Sequence, residues 1–117
     1  MSTFNISQKI GGGGVFSKTT GGSTVILTTT ANQYAKVKIA GDLDGAGGGA
    51  VCAVSIGGIV QRQATAGSSA TSKLYGTSEP VELLVPPSSS LSINNTLGGG
   101  GANVTVVGSY VIIENTL

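Results

Sequence analysis

Short runs in which apolar and polar residues take turns recur along this chain, and they set its secondary structure. In residues 34–40 (YAKVKIA), Val37 and Ile39 fall on one face while Lys36 and Lys38 fall on the other, the two-residue period of a strand with one dry and one wet side. Residues 25–29, 72–75, 80–85, 90–94, 103–107 and 110–115 supply six more candidate strands, several of them rich in the β-branched residues that suit a pleated surface. Residues 50–60 contain Ile56-Gly57-Gly58-Ile59, two glycines between apolar residues, which predicts a two-residue hairpin turn. The 3.6-residue period of a helix is nowhere sustained over about ten positions, and the strong helix formers never cluster, so no helix is expected. About eight or nine short strands with turn signals between them predict an all-β fold, an antiparallel β-sandwich of jelly-roll type. Pro86-Pro87 marks a stop after Val85, because proline cannot donate to a strand ladder.

Glycine modifies this picture. Clusters at 11–14, 41–49 and 98–101 read as loops or linkers, since glycine runs break regular structure. The first cluster interrupts an otherwise apolar beginning, so residues 1–22 read as an extended N-terminal arm and residues 23–117 as the β-sandwich domain. Phe4, Ile6, Ile10, Val15 and Phe16 are the apolar side chains of that arm. They are the candidate assembly contacts, packing either on the domain or on a neighbouring subunit.

Composition narrows the role. Only 9% of the 117 residues are charged and the net charge is +1, against a usual charged share of about 25%. Such a surface is built from Ser, Thr, Asn, Gln and Gly and has little electrostatic repulsion to keep copies apart. Lys9, Lys18, Lys36, Lys38, Arg62 and Lys73 are scattered, so no footprint for nucleic acid is expected. No stretch has the roughly 18 apolar residues of a membrane-spanning helix. Residues 1–10 lack the basic start and apolar core of a secretory signal, which predicts synthesis in a cytoplasm. The single Cys52 sits in an apolar run and reads as a buried small hydrophobe.

The chemistry-bearing residues are few. The chain has no histidine, which removes the commonest general base and metal ligand. The carboxylates Asp42, Asp44, Glu79, Glu82 and Glu114 do not assemble into a recognisable acid and base pair. Asp42-Leu43-Asp44-Gly45 begins like a calcium loop, but Ala46 stands where a third oxygen ligand belongs; the aspartates read as turn-capping groups instead. Residues 12–19 (GGGVFSKT) approach a phosphate-binding loop, with Ser17 in place of its last glycine. The Thr and Gly that follow cannot open the helix such a loop needs. No catalytic, cofactor or metal residues are expected, and the chain reads as no enzyme.

The succession of YAKVKIA (34–40), a Gly-rich loop, Val54-Ser55-Ile56-Gly57-Gly58, VELLV (81–85) with its prolines, LSIN (91–94) and NVTVVG (103–108) resembles small β-sandwich structural proteins of tailed-bacteriophage virions. The resemblance spans residues 23–117. It implies a component of the outer virion surface, often trimeric, whose partners are copies of itself and the major capsid protein or tail proteins. The size of the chain and its lack of internal repeats favour a head decoration (cement) protein that stabilises the capsid. The alternative is a tail-fibre or adhesin-type receptor-binding subunit, for which the few aromatics make a poor sugar platform; a pilus-like surface subunit is more distant.

Overall fold

A computed structural model describes residues 7–116. Its nine strands are β1 (Ser7–Lys18), β2 (Gly22–Thr28), β3 (Gln33–Asp44), β4 (Ala50–Ile56), β5 (Ile59–Ala66), β6 (Thr71–Lys73), β7 (Val81–Val85), β8 (Ser90–Leu97) and β9 (Asn103–Thr116). The alternation in β3 shows why they form. Ala35, Val37, Ile39 and Leu43 are buried while Lys36, Lys38 and Asp42 face solvent, so one strand contributes four apolar side chains to the core and keeps its charges hydrated. In β8, Leu91, Ile93 and Asn95 point inward, and in β4 Ala50, Cys52 and Val54 do the same.

All pairings are antiparallel, and they nest. β1 pairs with β9, β2 with β8, and β4 with β5, while β3 takes β6 along Asp42 to Asp44 and β7 along Ala35 to Ile39. One sheet, A, runs β1-β9-β3-β6 with β7 beside β3; the other, B, runs β2-β8-β4-β5. Successive outer strands switch sheets, giving the nested order of a jelly roll, as the strand pattern predicted. The core lies between the sheets, with Ile39, Leu43, Leu74, Leu91, Ile93, Val104 and Val106 fully buried.

The predicted hairpin is present. Ile56 pairs with Ile59, and Gly57 and Gly58 carry φ values of 60° and 81°, the left-handed geometry that a two-residue turn of the primed type requires at both positions.

Other expectations are corrected. Glycines 11–14 are not a loop: they lie within β1, paired with β9 except at a bulge between Ile10 and Gly12. Gly41 likewise sits inside β3, packed on Leu74. Residues 103–107 and 110–115 are one continuous strand, because Gly108 is held in register between Phe16 of β1 and Ile39 of β3. Residues 61–66 form most of β5, which the sequence reading passed over; its inward residues Ala64 and Ala66 are too small to give a strong alternation signal. The remaining glycine runs, 45–49 and 98–101, do form loops, and they meet at one end of the sandwich, where Gly98 N–H donates to the Gly49 carbonyl at 2.9 Å.

Candidate functional site

Sheet A ends at β1, whose far side has no neighbouring strand among the described residues. An edge strand presents unpaired N–H and C=O groups, and proteins usually protect such edges with charge, proline or short length. β1 is twelve residues long, contains no proline, and carries no charge over residues 10–17 (IGGGGVFS).

The two lysines that flank this stretch are turned elsewhere. Lys9 Nζ lies 3.1 Å from Glu114 Oε2. Lys18 is buried to 4% exposure, its ammonium donating to Thr20 Oγ1 at 2.9 Å and to the Gly21 carbonyl at 3.4 Å. Neither cation projects from the edge it borders. Glu114 also accepts from Gln33 Nε2 at 3.1 Å; the hydrogen bonds from Lys9 and then Gln33 hold its carboxyl below the usual glutamate range.

Cross-strand registry sorts the β1 side chains by face, because directly paired residues share one side of the sheet. Phe16 pairs with Gly108 and packs inward against the core; Gly14 pairs with Tyr110, whose hydroxyl would stand 3.3 Å from a β-carbon at Gly14. Each aromatic ring covers the glycine opposite it. On the outer face, Ile10 lies beside Ile113, which lies beside Tyr34, and Gly13 beside Val111, Lys36 and Leu84. Val15 is 85% exposed and Ile10 66%, and Val107 and Leu84 are exposed too. The edge and this outer face form one partly apolar surface.

Of the five arm residues singled out from the sequence, Phe4 and Ile6 lie outside the described residues. Ile10 and Val15 stand on the surface just described, and Phe16 is committed to the interior. The sequence reading missed Tyr34, Leu84, Val107, Val111 and Ile113. The available signal was that 106–107 and 111–113 are apolar on both strand faces, more than a core on one side requires.

Asp42 and Asp44 have local partners. Asp42 Oδ1 accepts from Lys73 Nζ at 2.6 Å, and Asp44 Oδ1 accepts from the Ala46 N–H at 3.0 Å, the turn-capping role expected of it. Residues 12–18 of the phosphate-loop-like stretch lie in β1, with no helix after them. No group of three or more His, Cys, Asp or Glu able to hold a metal occurs among the described residues. Cys52 is buried, and desolvation pushes its thiol up to about 11. No helix among the described residues is long and apolar enough to cross a membrane.

No family model matches the chain, and no curated protein matches it. A solved structure of Bacillus endospore appendages, described as a novel family of disulfide-linked pili, is similar at 12% identity, covering 99% of this chain and 93% of that one, with a TM-score of 0.45.

Proposed function

We propose that this chain is a non-enzymatic structural subunit, held in a larger assembly through the β1 edge and the outer face of sheet A. One observation carries the reading: an uncharged stretch of a long edge strand, with Val15 and Ile10 exposed and both flanking lysines turned away. Main-chain groups on such an edge give affinity when a further strand is added, and the neighbouring apolar side chains give fit.

The more specific reading follows the resemblance to phage virion proteins. The assembly is the outer surface of a virion, and the chain is a head decoration protein that binds the major capsid protein and stiffens the shell. The placement of the aromatics supports decoration over receptor binding: Phe16, Tyr75 and Tyr110 pack against the core, leaving Tyr34, among the described residues, as the aromatic on the outer face of sheet A. A sugar platform needs exposed rings set around a groove.

Gold labelling of particles purified from the producing cells tests this. Label spread over heads is the expected result. Label confined to tail tips would replace decoration by receptor binding, and protein found only free of particles would end the virion reading.

A further inference from the structure

We propose that two copies of this chain join edge to edge, β1 of one antiparallel to β1 of the other about a two-fold axis at Val15, so that their A sheets become one. The inference rests on the reading of the β1 edge as an assembly surface and names its partner, a second copy.

The regular part of β1 decides the register. The bulge between Ile10 and Gly12 interrupts the strand, leaving residues 12–18 in unbroken pairing with β9. An antiparallel pair of identical strands is self-complementary about a two-fold axis, and the longest regular overlap of 12–18 with itself is centred on Val15. Gly12 then faces Lys18 of the second copy, Gly13 faces Ser17, Gly14 faces Phe16, and Val15 faces Val15. Moving the axis to Gly14 runs the pairing into the bulge, and moving it to Phe16 shortens the overlap.

The side chains suit that register on both faces. Outside, Val15, the most exposed large apolar side chain among the described residues, meets its own copy, and directly opposite residues bring their β-carbons to roughly 5 Å. Inside, Phe16 of one copy lies beside Gly14 of the other. The alternation of ring and glycine that joins Phe16 to Gly108 and Tyr110 to Gly14 thus continues across the axis. The cation at position 18 does not oppose the contact, because it is folded into its own subunit.

The other edges are less suited. β6 and β7 are three and five residues long, with Pro80 and Pro86 bordering β7. β2 is bulged between Val25 and Leu27. β5 is bound to the segment after β6 by Arg62 Nε, which donates to the Leu74 carbonyl at 2.7 Å.

Sedimentation velocity of the purified full-length chain over a concentration series is the test, with Val15→Lys as the variant. Its side chain projects into solvent in the single subunit, so the fold should be unaffected, as circular dichroism would verify. In the pair it sets two cations opposite each other. The expected result is a wild-type dimer and a variant whose dissociation constant rises at least about tenfold. Nitroxide labels on Val15→Cys, read by pulsed electron resonance, should give one short distance, while labels on Val25→Cys on sheet B should not. A wild-type monomer, a trimer, an unaffected variant or distant Val15 labels would each overturn the pairing. Particle labelling is read separately: a dimer with no particle label defeats the virion reading alone, and particle label with a monomer defeats the pairing alone.

Discussion

Replacing Gly108 by alanine puts a methyl group where two strands and a ring already meet. Its β-carbon would lie 2.7 Å from Phe16 Cε1, in hard contact with Phe16 Cζ, and against the backbone carbonyl oxygen of Lys38. The ring can move, but the carbonyl belongs to the β3–β9 ladder and moves only with it. Overpacking of this kind costs about 1 to 3 kcal/mol, and a displaced Phe16 gives up part of the roughly 1.5 to 3 kcal/mol that burying such a side chain contributes. The expected total of about 3 kcal/mol is a large fraction of the roughly 5 to 15 kcal/mol that holds a domain together. Urea titration followed by circular dichroism reads it: with a slope of about 1 to 3 kcal/mol per molar, the midpoint should fall by roughly 1 to 3 M. Adding Phe16→Ala should recover the ring's share of the clash and none of the carbonyl's, giving a favourable coupling of about 1 kcal/mol in the double-mutant cycle. An unchanged midpoint for Gly108→Ala would refute the reasoning, since it would mean that Phe16 does not rest on this glycine.

The Cys52 thiol should resist alkylation in the folded chain at pH 8 and react at the ordinary thiol rate once urea unfolds it; fast labelling of native protein would contradict its burial. Because its folded pKa is raised from 9.0 to about 11, the folded state disfavours the thiolate. The associated stability is intact below pH 9 and declines between about pH 9 and 11, by up to roughly 2 to 3 kcal/mol, a loss that Cys52→Ala should lack in paired melts. Glu114 has the opposite sign: its lowered pKa means a contribution present above the usual glutamate range and lost as the pH falls through the folded value. Carboxyl NMR titration should show it returning toward the usual range in Lys9→Met, and an unmoved titration would exclude the Lys9 hydrogen bond as the main cause. Gly58→Ala should cost about 1 kcal/mol because φ there is 81°, whereas Gly57→Asn should be nearly neutral; equal melting temperatures for both would argue against the primed turn.

Much of the fold is legible because strand periodicity is local. The alternation around Val37 and Ile39 requires only the next residue but one, and the turn at Gly57 and Gly58 is specified by its own two residues. The surface was half legible. Ile10 and Val15 stood out as apolar side chains beside glycine, but Val111, Ile113, Tyr34 and Leu84 lie on three different strands, and nothing in the one-dimensional order places them in adjoining rows.

By itself the sequence determined an antiparallel sandwich, its hairpin, the burial of Cys52 and the turn-capping use of Asp44, because each follows from residues a few positions apart. Only the tertiary structure decided that glycines 11–14 belong to a strand and that Gly108 does not break one. A glycine lacks side-chain contacts of its own, so its conformation is set by what lies across from it, and here that is Tyr110 for Gly14 and Phe16 for Gly108. More than eighty residues of sequence separate β1 from β9, and their pairing turns residues 7–18 of what reads as an arm into the free edge of a sheet.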